Sequence, residues 1–349
     1  MYIMIKGNRM STTSFVRSSL FTLKNSILIA VCLQNAGYTL LRKYSTQTEN
    51  VSSKEILLMA EIIKMIVATY ISMTDDSPSD AQGKGVDRLI WLLKNSSKIF
   101  VLAAIYGAMN ILSFVALQYI GAGEFTICAQ LKIMTTAWFS VMILKTTLSS
   151  TKWRALALLV LGCILVASPN LKQNNDGTED QNAAYLQLLG YAAVLTEVCL
   201  SGFASIYFEK VIKSTNEVIT IWERNFQLGF YSIIMYGGII LYEGSTSTRT
   251  PWSNWSMLTF LVAALGAIGG LLVAATLKYA DSILKTLAAA GAIVLSTILG
   301  YIFLDGPLDL ITCIGGITTI IAIANYTFDN TPPLIVQSLP SPEKSEGKC

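Results

Sequence analysis

The sequence has no histidine, and only 13% of its 349 residues are charged, where a soluble globular domain carries roughly 25%. Without imidazole, Ser-His-Asp and Cys-His catalysis and the ordinary histidine-ligated metal centre are excluded. There is no Asp-x-Asp metal motif either, so no metal or cofactor is expected and an embedded glycosyltransferase is disfavoured. The six cysteines, Cys32, Cys128, Cys163, Cys199, Cys313 and Cys349, show no CxxC spacing. Five of them lie in or beside apolar runs and read as buried thiols rather than a disulfide framework. A net charge of +3, scattered between apolar stretches, sets nucleic-acid binding aside.

What the chain does have is hydrophobic sequence, 53% of the total. It falls into stretches of the length needed to cross a hydrocarbon core of roughly 30 Å at 1.5 Å per residue. Candidate spans run over Lys24–Leu41, Glu55–Met73, Ile99–Leu117, Gly123–Leu144 and Trp153–Ser168, then Tyr185–Phe208, Val218–Tyr242, Trp255–Leu277, Ser282–Leu304 and Leu308–Tyr326. The expectation is an all-α membrane protein with about ten transmembrane helices. Residues 1–23 are too polar for a cleaved signal peptide and read as a cytosolic N-terminal segment. Residues 24–168 and 185–327 form two five-helix repeats joined by a lumenal linker, 169–184, and residues 328–349 form a disordered cytosolic tail. An odd number of spans per half forces the second half to enter from the opposite side, which makes the repeats inverted. Among the cations outside the spans, only Arg42, Lys43, Lys54, Lys172 and Arg249 fall on the side opposite the N-terminus, so both termini are placed in the cytosol. Of four Asn-x-Ser/Thr sequons, only Asn50 and Asn254 then face the lumen.

Four cations remain inside spans: Lys64, Lys132, Arg224 and Lys285. Each costs roughly 2.5–3.5 kcal/mol at mid-bilayer on translocon scales, so retention points to a cavity filled by water or ligand. Bland alternatives exist for two of them. Lys64 lies three residues after Glu61, on one helix face, where an ion pair would neutralise both. Arg224 sits near the start of its span, from which it can snorkel, and it points away from Glu223. Lys132 has no acidic residue within one helical turn of its own stretch, and beyond Asp281 the span of Lys285 carries no further charge. One such lysine per repeat, each with Ala137 or Ala290 five residues later, would meet near a pseudo-twofold axis. Gln130, Thr135 and Thr136 flank Lys132, Tyr106 and Asn110 are one turn apart, and Asn225 and Gln227 follow Arg224. Amides, hydroxyls and aromatics read a base and a sugar, and lysine reads phosphate. Gly269-Gly270 is a candidate hinge.

The stretches Gln130-Leu131-Lys132-Ile133, Gly202-Phe203-Ala204-Ser205-Ile206-Tyr207-Phe208-Glu209-Lys210, Trp222-Glu223-Arg224-Asn225-Phe226-Gln227-Leu228-Gly229, Gly269-Gly270-Leu271 and Leu277-Lys278-Tyr279-Ala280-Asp281-Ser282-Ile283-Leu284-Lys285 resemble the nucleotide-sugar transporters of the Golgi. The branch is that of the CMP-sialic acid, UDP-galactose and UDP-N-acetylglucosamine carriers. The resemblance covers nearly all ten spans and is strongest from Gly202 to Leu304. It implies the drug/metabolite transporter fold, residence in the Golgi membrane with the endoplasmic reticulum as second choice, and exchange of a cytosolic nucleotide sugar for a lumenal nucleoside monophosphate. It also implies contact of Lys132 and Lys285 with the phosphate-bearing part of the ligand, and a cavity lined by Tyr106, Asn110 and Asn225. Association as a homodimer fits the resemblance, and a scaffold bound to Golgi glycosyltransferases is the competing non-transport reading. Gly229 and Tyr231 stand where the sialic acid carrier has tyrosine and serine, and Met109, Phe125 and Ala129 replace further residues of its cavity. The resemblance therefore favours UDP-N-acetylglucosamine and/or UDP-galactose, exchanged for UMP, over CMP-sialic acid or another organic phosphate.

Overall fold

The computed structural model describes residues 10–48, 51–74, 85–168, 181–213, 219–244, 252, 255–304, 308–329 and 331. Among them there are twelve helices and no strand. In chain order these are α1 (Met10–Thr48), α2 (Ser53–Thr74), α3 (Val86–Lys94), α4 (Ser97–Tyr119), α5 (Ala122–Ala129) and α6 (Lys132–Ile143). They are followed by α7 (Ser150–Ala167), α8 (Gln181–Ile212), α9 (Ile221–Gly244), α10 (Met257–Tyr279), α11 (Ser282–Leu304) and α12 (Leu310–Thr327). Most of the expected linker, residues 169–180, and residues 1–9 and 332–349 lie outside the described residues.

Eight helical stretches among the described residues are long and apolar enough to cross a bilayer. They are α2, α4, Glu124–Ile143 across α5 and α6, α7, Tyr185–Ile212 within α8, α10, α11 and α12. The distribution of polarity is inside out. Leu241 and Phe303 are 78% and 73% exposed, while Gln227, Asn225, Arg224 and Lys64 are 0%, 1%, 2% and 4% exposed. Burying those four while exposing leucine and phenylalanine makes sense only where the surrounding solvent is lipid.

Three sequence expectations change. The stretch Gly123–Leu144 is not one helix, because it breaks at Gln130-Leu131 into α5 and α6. A helix not expected from the sequence, α3, fills part of the segment before α4. It starts at Gly85, whose φ of +66° is a left-handed conformation that side-chain-bearing residues rarely adopt. The thiols are not uniformly buried: Cys163 is, Cys32 and Cys128 are partly so, and Cys199 and Cys313 are exposed. In helices that face lipid, an apolar thiol gains nothing further from burial, so the apolar-run argument does not fix which side it takes.

The helices divide into two compact units, and each draws on both halves of the sequence. Unit 1 comprises residues 1–115 and 207–307, which include α1, α2, α3, α9, α10 and α11. Within it α2 packs along α9 and α10, and α1 along α10 and α11. Gly229 lets α9 approach α2, since a Cβ there would lie 3.2 Å from the Cβ of Met65. A cluster of Val51, Ile56, Val262 and Ala263 ties the start of α2 to α10, and Trp255 donates its indole N–H to Glu55 Oε2 at 3.0 Å beside it.

Unit 2 comprises residues 116–206 and 308–349, which include α5, α6, α7 and α12. Here α7 packs along α12. Their backbones touch at two glycines. A Cβ on Gly162 would lie 2.5 Å from Thr319 Oγ1, and one on Gly315 would lie 2.7 Å from both Leu165 Cβ and Val166 N. This is the small-residue contact that lets helices associate where no hydrophobic force drives them together. Thr319 Oγ1 donates to the Gly315 carbonyl at 2.9 Å and so stays satisfied within its own helix.

Candidate functional site

In unit 2 the site is built on the helix break. Backbone bonds tighten from the α-helical to the i→i+3 pattern: Gln130 N–H reaches the Ile127 carbonyl, Leu131 that of Cys128, Ile133 that of Gln130 and Met134 that of Leu131. The side-chain amide of Gln130 donates to the Thr126 carbonyl at 3.0 Å, occupying the acceptor that the regular ladder would give to its own backbone N–H. Lys132 is therefore the first residue of α6, half-buried, within an otherwise apolar stretch. Thr135, one turn on, donates from Oγ1 to the Lys132 carbonyl at 3.2 Å and to the Val198 carbonyl of α8 at 3.1 Å. Gly202 makes that approach possible, because a Cβ there would fall 2.5 Å from Thr135 Oγ1.

In unit 1 a second polar cluster surrounds α2. Lys64 Nζ lies 2.5 Å from Glu61 Oε2, the ion pair expected from their spacing. Gly270 of α10 leaves room for the Lys64 stem, since a Cβ would come 2.8 Å from Lys64 Cδ. Its neighbour Gly269 makes the same space for the amide of Gln34, which donates to the Leu265 carbonyl at 2.8 Å. The helix runs unbroken through both glycines, which serve close packing there. Tyr106 and Asn110 lie on α4, and Asn110 Nδ2 donates to the hydroxyl of Tyr236 on α9 at 3.1 Å. The charge of Glu61 acts on both tyrosines, Tyr106 and Tyr236, so Glu61, Lys64, Tyr106, Asn110 and Tyr236 form one electrostatic neighbourhood.

The start of α9 holds the remaining polar candidates. Thr220 and Glu223 form a capping box, each side chain accepting the other's backbone N–H, at 3.2 and 2.7 Å. Glu223 Oε1 also takes the Nε–H of Arg88 of α3 at 2.7 Å, with both side chains buried, and Arg88 lies over the ring of Trp91 at 4.6 Å. Arg224 points elsewhere and donates to Gln227 Oε1 at 3.1 Å; it is buried rather than snorkelling. Gln227 donates to the Leu92 carbonyl at 2.6 Å, and Ser96 and Tyr231 share a hydroxyl hydrogen bond. Three contacts thus join residues 88, 92 and 96 to 223, 227 and 231, one turn apart on each side. Asn225 donates to the Ile221 carbonyl of its own helix at 2.9 Å.

Lys285 stands in the first turn of α11, half-buried. Two carboxylates prepare that helix start. Asp281 Oδ1 accepts the Leu284 N–H at 2.8 Å, and Glu209, from the last turns of α8, accepts the Ser282 N–H at 2.8 Å. Burial pushes the Asp281 carboxyl above its usual range. Lys213 Nζ holds Glu209 Oε1 and the Ala280 carbonyl, each at 2.6 Å.

Unit 1 therefore brings together Glu61, Lys64, Tyr106, Asn110 and Gly270, with Gly269 beside them. Unit 2 brings together Gln130, Lys132 and Thr135. Arg224 bonds Gln227, which in turn bonds α3. Sequence reasoning passed over Tyr236, Arg88 and Glu197, the last of which carries the charge that acts on Lys132. A survey of acids as well as cations within apolar stretches would have found Glu197. No group of three or more metal-ligating side chains occurs among the described residues.

The family model for the nucleotide-sugar transporters matches residues 19–327. The UDP-N-acetylglucosamine transporter of Mus musculus is 34% identical over 285 residues, spanning 80% of this chain and 86% of that protein. The UDP-galactose/UDP-N-acetylglucosamine transporter of Caenorhabditis elegans is 33% identical over 86% of this chain and 80% of its own length. The UDP-galactose translocator of Bos taurus is 30% identical over 94% and 83% respectively. A crystal structure superposes with a TM-score of 0.63 at 14% identity, covering 88% of this chain and 97% of the solved one, a likeness of fold.

Proposed function

The chain belongs to the nucleotide-sugar transporter family, and we propose that it exchanges a UDP-sugar for UMP across the Golgi membrane by alternating access. The sugar is UDP-N-acetylglucosamine, UDP-galactose or both, the substrates that the relatives are named for. The observation that carries this reading is Lys132, a half-buried cation at a helix break inside an apolar stretch. Such a position supplies a point charge for phosphate, and the first turn of a half-helix adds its own positive end. Lys285, also in a first turn, supplies the second charge. Tyr106, Asn110 and Asn225 are the groups for base and sugar, and Lys64 is drawn on as its pair with Glu61 rearranges.

In this reading the chain forms two inverted five-helix repeats with ten spans, α1 and α9 adding to the eight. Two features support this. The pairs that pack along each other, α2 with α9 and α7 with α12, are each made of helices five spans apart. The sequence spacing between Gly162 and Gly315, which meet at the second crossing, equals that between Lys132 and Lys285. Both termini then lie in the cytosol, from the distribution of loop cations, and the UDP-sugar is delivered to the lumen. The test is uptake into liposomes holding the purified protein, against a panel of UDP-N-acetylglucosamine, UDP-galactose and CMP-sialic acid. Preloading with UMP should accelerate uptake of a UDP-sugar, and Lys132→Ala should abolish it. Uptake indifferent to UMP, or unchanged in that variant, would overturn the reading.

A further inference from the structure

We propose that Glu197 is a built-in counter-ion for Lys132, a carboxylate that stands in for phosphate while the carrier is empty and yields when nucleotide arrives. The inference rests on the phosphate role assigned to Lys132 above. Glu197 lies in the middle of α8, well inside the apolar segment Tyr185–Ile212. A carboxylate at such depth is retained only where a cation or a hydrated cavity faces it, and it marks function more often than packing.

The register of α8 against α6 supplies the geometry. Thr135 Oγ1 reaches the Val198 carbonyl at 3.1 Å, Gly202 clears the same threonine, and Phe139 meets Phe203 edge-on at 5.6 Å between ring centroids. The two helices therefore run side by side in the same direction through this stretch. Lys132 is one turn before Thr135 and Glu197 is the residue before Val198, so both charges come to one level of unit 2. Consistent with that, Glu197 is the charged side chain that acts most on Lys132, ahead of the buried thiol of Cys163.

A lone lysine in a low-dielectric site would hold an empty carrier in whichever state best hydrates it, whereas a lysine matched by a carboxylate crosses as a neutral pair. Phosphate, with more oxygens and more charge, outcompetes one carboxylate for the same ammonium. Glu197 thus lowers nucleotide affinity and eases the return of the empty carrier. It is a positioning residue whose effect passes through Lys132, and it sets how strictly exchange is coupled.

The experiment compares wild type with Glu197→Gln in liposomes, with and without internal UMP, and measures UMP binding by thermal shift in detergent. In Glu197→Gln, UMP should bind tighter by about tenfold, the order expected when one competing charge leaves a partly desolvated site. Uptake into empty liposomes should fall severalfold while uptake into UMP-loaded liposomes persists, so their ratio rises. In the Lys132→Gln background the same change should leave UMP affinity where it was. An unaltered melting temperature without ligand shows that Glu197→Gln folds; should it not fold, Glu197→Asp, which shortens the carboxylate's reach, takes its place with the same direction expected. An unchanged affinity and ratio beside a wild type that exchanges UMP would overturn the counter-ion alone. A wild type that neither binds nor exchanges UMP would overturn the transport reading and the counter-ion with it.

Discussion

Unit 1 and unit 2 each contain a pair of helices packed along their length, and the two crossings use opposite materials. In unit 2, α7 meets α12 through Gly162, Gly315 and Thr319, with backbone against backbone, and Ser149 hydrogen-bonds Asp329 at one end. In unit 1, α2 meets α9 beside an ion pair of buried Lys64 with half-buried Glu61, and α9 carries Glu223, Arg224, Asn225 and Gln227, all buried. A crossing of small residues is short-ranged and has one good geometry. A crossing lined with charges and amides has several arrangements of partners close in energy, which suits a helix pair that must rearrange around a ligand. By that criterion α7–α12 is suited to a fixed frame and α2–α9 to rearrangement.

The sharpest way to break that contrast is to remove a charge from unit 1. Glu223→Gln leaves Arg88 buried without its carboxylate and should destabilise the protein by about 3–5 kcal/mol, read as a large fall in melting temperature in detergent. A small fall would mean that the polar network of α9 is already loosely held. The next effect is steric and belongs to unit 2. Gly315→Ala drives a methyl into Leu165 and the Val166 amide and should cost about 1–3 kcal/mol, whereas Gly237→Ala on α9, where nothing lies within 4 Å, should be harmless in the same melt. Equal responses would deny that the glycine crossing is special. The smallest effect is at the end of that crossing. Asp329 is held below the usual carboxylate value of 3.8 by the Ser149 and Thr331 hydroxyls. A carboxyl lowered in the folded state contributes stability above its unfolded value and loses it as pH falls through the folded one. The difference in melting temperature between wild type and Asp329→Asn should therefore be flat at neutral pH and close only below about pH 4.

Charge in an apolar stretch is legible in a sequence, which is why Lys64, Lys132, Arg224 and Lys285 stand out there. What they touch is less so. Lys64 and Glu61 pair locally, so helix spacing alone suffices to foresee it. Arg88 and Glu223 are far apart in the chain, and only the folded α3 brings the guanidinium to the start of α9. The break before Lys132 has no glycine or proline to announce it. It depends on the Gln130 amide taking the Thr126 carbonyl, a contact that only the folded backbone reveals. Lipid-facing helices add a further ambiguity, because Cys199 and Cys313 are as comfortable outside as Cys163 is inside.

The short helix α3 turns this architecture into something observable from outside. Its contacts at 88 and 92, continued by Ser96 just beyond its end, step along α9 at 223, 227 and 231 with the same stride, so α3 cannot slide or roll on α9 without breaking them together. Val86, Ile90 and Lys94 form its exposed edge. A spectroscopic label on that edge would follow α9 as a needle follows a shaft, and would report the tilt of the helix that carries Asn225 without occupying its surroundings.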